Sequence, residues 1–282
     1  MIIIDTIEKM REWSGKQHQQ GRSIGLVPTM GRLHAGHMSL VNKSLETSGS
    51  TVASVFVNPL QFGENEDLDS YPVDLDSDEA MLSAAGVDVM FIPTKSALCP
   101  KGIKTFVQVE EITEYLCGKS RPDLFRGVAT IVLKLFNIVK PQYAFFGEKD
   151  WQQLAVIETL VTDLNLDLEI VRGPLMRESD GLAMSSRNHY LTELDRQAAQ
   201  SISTALKEAK EQIKSGEHSA EKIQAGIRRN IEKQPNTRID YISLCDPVSF
   251  QECAAIGDST LIALAVHVGK ARLIDNCLVR RD

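Results

Sequence analysis

The sequence predicts an α/β protein in which a parallel β-sheet carries helices on both faces and is followed by a smaller α+β domain. In the first two thirds of the 282 residues, short apolar segments alternate with amphipathic ones, as in a parallel sheet with helical crossovers. Beyond about residue 176, two long helical patterns precede several β-branched segments, which is typical of an α+β unit. The length suits one or two domains, at roughly 150 residues per domain.

Apolar spacing and chain breakers predict each element of the first part. Residues 36–48 place Met38, Val41 and Leu45 at near-helical spacing, and Gly86 and Pro141 end two other helices. The predicted helices are 5–20, 36–48, 74–85, 124–139 and 151–164, and the predicted strands are 23–28, 51–57, 87–92, 106–109, 143–146 and 166–171.

The pattern changes after the last of these strands. Residues 173–186 are polar and without a clear period, so we expect a loop that closes over a site. Helices are predicted at 193–214 and 220–233, and strands at 238–244, 261–268 and 271–274. We therefore expect a Rossmann-like nucleotide-binding domain at 1–176 and an α+β lid domain at 177–282, with ligands beyond the carboxyl ends of the parallel strands.

Composition excludes several classes of protein. Lys and Arg total 31 and Asp and Glu total 38, a net charge of −7, which disfavours broad capture of nucleic acid or anionic membranes. No apolar run approaches the roughly 20 residues of a membrane span. The first apolar run is ended by Asp5 and is too short for a secretory signal. Five scattered cysteines without a CxxC pair indicate reduced thiols in a cytoplasmic protein: Cys99, Cys117, Cys245, Cys253 and Cys277.

The strongest candidate site is the segment 28–37, which follows a predicted strand and opens the next helix. Unpaired N–H groups at a helix start attract phosphate, and Gly31 and Gly36 allow a ligand to approach the backbone. His34 and His37 lie three residues apart, so both imidazoles face one way if the turn is helical. There they would donate hydrogen bonds to phosphoryl oxygens as charge develops.

Two simpler interpretations of this histidine pair stay open. A histidine near a helix start often only caps the helix or faces solvent. Histidine pairs also bind zinc, although the HExxH spacing of many zinc enzymes is absent.

Another candidate is the strand-to-helix junction at 146–153. Lys149 would neutralise a phosphate as a compact point charge, and we expect it in the same crevice as the histidines if both strands are central. Asp150 is equally well placed to cap the following helix.

Two polar segments complete the candidates. The segment 177–188 combines Ser185, Ser186 and Arg187, a suitable set of groups for holding an anion, although such loops are usually surface. In the segment 57–62, Asn58 and Gln61 offer neutral polar groups for hydroxyls or carboxylates, although the residues alone favour a simple proline turn here. Neither GxxxxGK[ST] nor GxGxxG occurs, so these residues suit neither a P-loop nor an ordinary dinucleotide site. A GxSxG segment at 21–25 leads into a predicted strand instead of following one, so a serine hydrolase is disfavoured.

Taken together, these segments resemble a known family. The segments 34–37 and 184–187 resemble the HIGH and KMSKS signatures of the nucleotidyltransferase superfamily. More specifically, the ordered set resembles the pantothenate synthetase (pantoate–β-alanine ligase) family over nearly the whole chain. The matching segments are Pro28-Thr29-Met30-Gly31, Val57-Asn58-Pro59, Gln61-Phe62, Phe125-Arg126-Gly127-Val128, Phe146-Gly147-Glu148-Lys149-Asp150, Asp180-Gly181 through Arg187-Asn188, and Arg272-Leu273-Ile274-Asp275-Asn276.

The resemblance implies a two-step reaction in which pantoate and ATP form pantoyl adenylate and pyrophosphate, and β-alanine then displaces AMP to give pantothenate. It implies Mg²⁺, a homodimer and small-molecule substrates, with neither nucleic acid nor membrane as a partner. The implied catalytic residues are His34, His37 (in the position of a proton donor), Lys149, Ser185, Ser186 and Arg187. The implied ATP contacts are Met30, Gly31, Arg32, Leu33, His34, Ala35, Gly36, His37, Gly147, Glu148, Lys149, Asp150, Met176, Met184, Ser185, Ser186 and Arg187. The implied substrate contacts are Gln61, Gln153 and Asn58, and the implied metal ligand is Asp78.

This chain departs from the family pattern in three places. Ala35 replaces a frequent Glu, which changes little. Asp123-Leu124 stands where the family commonly has Gly-His, so a contact made by that histidine is missing. The acidic run 74–79 matches only partly where members bind metal, and an ordinary acidic helix start explains it equally simply.

Three rival functions stay open at this point. Another adenylyltransferase of the superfamily would need a basic second pocket in place of Gln61 and Gln153. A catalytically inactive nucleotide-binding regulator is kept open by Asp123-Leu124 but disfavoured by the intact histidines, Lys149 and serine pair. A synthetase acting on tRNA is disfavoured by the acidic charge and the small second domain.

Overall fold

The computed structural model describes residues 1–64 and 66–280. The chain divides into two compact units. The first unit comprises Met1–Glu110, Arg121–Glu148 and Gln153–Pro174, and the second comprises Glu111–Ser120, Lys149–Gln152 and Leu175–Asp282. The predicted division at residue 176 remains a prediction about domains.

The described residues form nine strands and nine α-helices, with three short 3₁₀ turns. The strands are β1 (Ile2–Ile4), β2 (Ile24–Thr29), β3 (Ser50–Val55), β4 (Val89–Phe91), β5 (Tyr143–Gly147), β6 (Glu169–Gly173), β7 (Thr237–Cys245), β8 (Ser259–Val268) and β9 (Ala271–Arg280). The helices are α1 (Ile7–Gln19), α2 (Ala35–Thr47), α3 (Leu75–Ala85), α4 (Lys95–Leu98), α5 (Leu116–Ser120), α6 (Leu124–Val139), α7 (Trp151–Asp163), α8 (Glu193–Lys214) and α9 (Ala220–Glu232).

The first unit is built on a six-stranded sheet in the order β1-β4-β3-β2-β5-β6, with every pairing parallel. Its core packs α2 and α3 on the sheet through fully buried side chains such as Val27, Val41, Leu82 and Phe145. The chain runs outward from β2 to β3 and β4 and then returns to the other side of β2 as β5. The topological switch point, where such sheets bind ligands, therefore lies between β2 and β5.

The second unit contains a three-stranded antiparallel sheet in the order β7-β8-β9. Helices α8 and α9 cover it, and their buried residues form one core cluster with the strands, including Ile202, Ile227, Leu264 and Leu273. Strand β9 continues to Arg280, six residues beyond its predicted end. The prediction of a parallel α/β sheet followed by a smaller α+β part is confirmed.

Two local predictions needed correction. The segment 106–109 is not a strand, because the Val107 N–H donates to the Thr130 hydroxyl at 2.9 Å rather than to a strand. The chain start, predicted as no element, forms β1 and pairs in parallel with β4. Among residues 1–64 and 66–280, no helix is both long and apolar enough to cross a bilayer.

Candidate active site

The loop after β2 is held by a side chain far away in sequence. The two oxygens of Asp78, on α3, accept hydrogen bonds from the backbone N–H groups of Arg32 (2.9 Å) and Leu33 (2.7 Å). Asp78 is only 1% exposed. Burial raises its pKa, and the two N–H donors oppose that rise. The carboxylate thus fixes the backbone of the loop that leads into the candidate phosphate-binding helix.

The same loop requires a glycine. Gly31 has φ of +86°, and Arg32 also lies in the left-handed region with φ of +53°. A Cβ on Gly31 would lie 3.0 Å from the Asp78 Oδ2 atom and from Val55. Left-handed backbone is costly for other residue types, so Gly31 allows the turn that brings the next two N–H groups onto Asp78.

The family resemblance also implies Asp78 as a metal ligand. Both of its oxygens are already hydrogen-bonded, and within the described part of the chain no group of three or more His, Cys, Asp or Glu side chains is placed to hold a metal ion. The contacts assign Asp78 the positioning of the loop, and its metal role stays a prediction.

His34 and His37 are brought together, as the sequence predicts. His34 is the N-cap of α2, and its Nδ1 atom accepts the Gly36 N–H at 3.1 Å. The two rings stack with centroids 4.0 Å apart and planes at 28°. Because Nδ1 acts as an acceptor, the neutral His34 ring carries its proton on Nε2, which makes Nε2 a hydrogen-bond donor. The capping interpretation is therefore confirmed for His34, and its contact with phosphate stays a prediction.

Gln61 and Asn58 lie beside this loop but act differently. The Asn58 side chain is 3% exposed. Its Oδ1 atom accepts the Leu60 N–H, and its Nδ2 atom donates to the Gly127 carbonyl and to Gln61 Oε1, each at 3.1 Å. The Gln61 Nε2 atom lies 3.0 Å from the Met30 sulfur. Asn58 therefore orients Gln61, and its predicted substrate contact stays a prediction.

Helix α6 packs closely against the turn that carries Gln61. A Cβ on Gly127 would lie 2.2 Å from the Leu60 carbonyl oxygen, so only glycine allows this approach. Arg121 donates to the Gln61 carbonyl at 2.9 Å and forms an ion pair with Glu66. Leu124, the second residue of the Asp123-Leu124 departure, begins α6 and is 8% exposed.

The junction after β5 carries the next candidates. Gly147 ends β5, and residues Glu148–Asp150 form a 3₁₀ turn that leads into α7. In the second unit, the Lys149 ammonium lies 3.5 Å from the Asp150 carboxylate, and the Lys149 carbonyl accepts a hydrogen bond from Asn276. Gln153 belongs to the first unit and lies half-buried in the first turn of α7.

Sequence reasoning missed the neighbouring Gln152. This side chain is 5% exposed. It accepts the Cys117 N–H at 3.0 Å and donates to the carbonyls of Ile112 and Tyr115 at 2.8 Å. It thereby ties the start of α7 to the segment around α5, a role that no local sequence signal indicates.

The predicted loop at 173–186 is more ordered than expected. Arg177 and Ala183 form an antiparallel bridge, and the Met184 N–H donates to the Met176 carbonyl at 3.0 Å. These contacts place Met176 beside Met184, the two methionines that the family resemblance implies as ATP contacts. Ser185 then caps a 3₁₀ turn at Ser186–Tyr190, accepting the Arg187 N–H at 3.2 Å. The signature segment is therefore a hairpin followed by a capped turn.

Polar contacts, most of them partly buried, hold that hairpin. Asn188 donates to Glu178 at 2.6 Å and to the Ala183 carbonyl at 3.0 Å. Arg196, on α8, pairs with Glu178 and, at 2.8 Å, with Asp180. The Arg177 guanidinium donates two hydrogen bonds to the Asp275 carboxylate on β9. Closure of this segment on ATP stays a prediction.

A parallel sheet whose switch point leads into a glycine-containing turn and a histidine-capped helix defines an α/β enzyme that binds nucleotide phosphates. A family model described as "Pantoate-beta-alanine ligase" matches residues 2–278. The chain belongs to this family. The expected family and enzyme class, an ATP-dependent ligase, are thereby confirmed.

Relatives and solved structures agree with that membership. The chain is 52% identical over 279 residues to the pantothenate synthetase of Acetivibrio thermocellus and 50% identical to that of Caldicellulosiruptor bescii, with 99% of each chain covered. The crystal structure of pantothenate synthetase from Thermus thermophilus matches with a TM-score of 0.93 at 40% identity, covering 98% of this chain and 99% of that one. The Francisella tularensis pantoate–beta-alanine ligase, complexed with beta-gamma ATP and beta-alanine, matches with a TM-score of 0.81 at 35% identity, covering 99% and 97%.

Proposed function

We propose that this chain condenses pantoate with β-alanine to pantothenate through a pantoyl adenylate, converting ATP to AMP and pyrophosphate. The observation that carries the proposal is the match to the ligase family over residues 2–278. The relative from Francisella tularensis, complexed with beta-gamma ATP and beta-alanine, supports the same substrates here.

In the first step a pantoate carboxylate oxygen attacks the α-phosphorus of ATP, and the bond to pyrophosphate breaks. The carboxylate is already an anionic nucleophile, so this step needs positioning and charge stabilisation rather than a general base. The Nε2–H of His34, the neighbouring His37 and the N–H groups at the start of α2 supply donors for the phosphoryl oxygens. Lys149 and Arg187 supply positive charge for the phosphates.

In the second step the β-alanine amine attacks the acyl carbon of the adenylate, the bond to the AMP oxygen breaks, and the amine loses a proton. Gln61 is the proposed contact for pantoate, with its amide oriented by Asn58. Gln153 is the second proposed pantoate contact. Neutral amides suit a substrate with hydroxyl and carboxylate groups, because they donate hydrogen bonds without adding charge.

The proposed ATP contacts are the residues that the resemblance implies. They are Met30 to His37, Gly147 to Asp150, Met176, Met184 and Ser185 to Arg187, with Ser185 and Ser186 as hydroxyl donors. Magnesium belongs to the proposal as the counter-ion that accompanies the ATP phosphates, since Mg²⁺ is usually held by substrate phosphates and few carboxylates.

The proposal also covers assembly and location. The family resemblance supports a homodimer, which light scattering on the purified chain would test directly. All five cysteines are free, which supports a reducing, cytoplasmic compartment.

Exchange of labelled pyrophosphate into ATP tests the adenylate. We expect exchange that requires pantoate and proceeds without β-alanine. Exchange that requires β-alanine as well would contradict the formation of pantoyl adenylate before β-alanine reacts.

A further inference from the structure

Two adjacent buried residues of β9, Asp275 and Asn276, have no part in the proposed chemistry. They are 3% and 8% exposed. Both belong to the motif at 272–276, which the sequence comparison singles out but whose role the reaction leaves unexplained. Asn276 contacts Lys149, a proposed ATP contact, and Asp275 contacts the hairpin that leads to Met184 and Ser185.

Asn276 holds the backbone of Lys149. The Asn276 Nδ2 atom donates to the Lys149 carbonyl at 2.9 Å. Lys149 lies in a 3₁₀ turn of only three residues, so this bond restrains the direction in which its side chain leaves the backbone. The Lys149 side chain keeps 20% of its surface exposed.

Asp275 holds the hairpin that precedes the serine pair. Its carboxylate accepts hydrogen bonds from Arg177 Nη1 at 2.7 Å and Nη2 at 3.0 Å, and its Oδ1 atom accepts the Asn276 N–H at 2.8 Å. The same Arg177 Nη1 atom donates to the Gly181 carbonyl at 3.0 Å. The guanidinium therefore connects β9 to the turn of the hairpin whose second strand leads directly into Met184 and Ser185.

Strand geometry explains how neighbours serve different segments. Successive side chains of a strand point to opposite faces of a sheet. Ala271, Leu273 and Val279 contribute to the core cluster under α8 and α9, and Asp275 shares their face. Asn276 lies on the opposite face with Arg272, which contacts Cys117 and Ser120.

We propose that Asp275 and Asn276 are positioning residues for ATP phosphate binding. Asn276 orients the backbone of Lys149, and Asp275, through Arg177, orients the hairpin before Ser185-Ser186-Arg187. One rigid strand would then fix the spacing between the two segments. Spacing matters because misplacement of a reacting group by about 1 Å can cost roughly 100-fold in rate. The inference rests on the proposed contacts of Lys149 and Ser185 to Arg187 with ATP.

Asn276→Asp tests the inference, because it removes the N–H donor with little change of shape. Gln224→Glu is the matched control, since Gln224 Nε2 likewise donates to a backbone carbonyl of the same unit, that of Ile242, at 2.6 Å. We expect KM for ATP in pantoate-dependent pyrophosphate exchange to rise about tenfold in Asn276→Asp, as for loss of about 1.4 kcal/mol of binding. KM for pantoate should change little, and Gln224→Glu should leave both constants unchanged.

A double-mutant cycle with Lys149→Ala shows whether Asn276 acts through Lys149. We expect the double variant to be no worse than Lys149→Ala alone, within about twofold. Independent, multiplying effects would overturn the inference, as would equal kinetics in Asn276→Asp and Gln224→Glu. If Asn276→Asp does not fold, Asn276→Ala removes the same donor without adding charge, and the same outcomes apply.

The outcomes separate this inference from the proposed function. If Lys149→Ala leaves exchange intact, the proposed role of Lys149 is wrong and the inference falls with it. If Lys149→Ala impairs exchange but Asn276→Asp behaves as the control, the inference alone is wrong.

Discussion

His34 and His37 stack with their ring centroids 4.0 Å apart at the first turn of α2. The Nδ1 atom of His34 caps the helix by accepting the Gly36 N–H. One histidine thus completes the helix end, and its ring stacks on that of the other. This arrangement places both rings at the helix N-terminus, where backbone N–H groups attract phosphate.

His37→Ala should slow pantoate-dependent pyrophosphate exchange by about 100-fold or more, as for loss of other donors that stabilise developing charge. The exposed His218 provides the control, and His218→Ala should retain the normal rate. Near-normal adenylate formation in His37→Ala would contradict the proposed role.

Asp78→Asn should disturb the loop before these histidines. An amide offers one acceptor where the carboxylate offers two, so either the Arg32 or the Leu33 N–H loses its partner. We expect a free energy of unfolding lower by about 1–3 kcal/mol and a raised KM for ATP. The control is Asp76→Asn, an exposed carboxylate in the first turn of α3.

Magnesium separates the two roles considered for Asp78. A positioning residue predicts that raising Mg²⁺ does not restore the KM of Asp78→Asn. Restoration by Mg²⁺ would favour the metal-ligand role suggested by the sequence.

Gly127→Ala should displace the turn that carries Gln61, because the new Cβ would lie 2.2 Å from the Leu60 carbonyl oxygen. Overpacking of this kind typically costs about 1–3 kcal/mol, and we expect KM for pantoate to rise more than KM for ATP. Gly226→Ala is the matched control: its nearest neighbours lie 3.7 Å away, and a helical Gly→Ala change should stabilise by roughly 0.5–1 kcal/mol. Equal effects on both Michaelis constants in Gly127→Ala would count against a local role at Gln61.

The charge of Asp275 predicts a pH dependence. Burial raises the pKa of Asp275, opposed by Arg177, the Asn276 N–H and Lys149; the Cys277 thiol is also near enough to interact with it. A raised pKa means that the folded protein binds this proton more tightly than the unfolded chain. As the pH falls from the raised pKa towards the ordinary aspartate value of about 3.9, protonation of Asp275 therefore stabilises the folded state. The same protonation removes the negative charge of Asp275 and so weakens its ion pair with Arg177.

We accordingly expect kcat/KM for ATP to fall on the acid side with an apparent pKa above that of an ordinary aspartate. Asp275→Asn should lack this acid limb and be less active at neutral pH. Asp240→Asn breaks another Asp–Arg pair of the same unit, with Arg272, and should keep the limb. An unchanged acid limb in Asp275→Asn would rule out this assignment.

Local signals predicted the long elements well. Helices α6 and α8 have their predicted bounds, because long apolar periodicity and clear end signals agree there. Strand β1 was missed because three residues at a chain start carry too little pattern. The segment 106–109 has β-branched and aromatic residues, but its Val107 N–H pairs with a side chain of α6 instead of a strand.

In the candidate site, too, contacts within one turn could be predicted and contacts between distant residues could not. His34 and His37 could be found because their pairing depends on spacing within one turn. The contact of Asp78 with the Arg32 and Leu33 N–H groups was missed, because it joins residues about 46 positions apart. Asn276 lay within a matching motif, but its bond to Lys149 spans 127 positions, so no local signal indicated what it holds.

The most direct test of the account is AMP release from ATP and Mg²⁺, measured with pantoate and β-alanine together and with each omitted in turn. We predict that full turnover requires both acids and yields one pantothenate for each AMP. AMP release without pantothenate, or turnover that ignores pantoate, would contradict the account and point to a different acceptor acid.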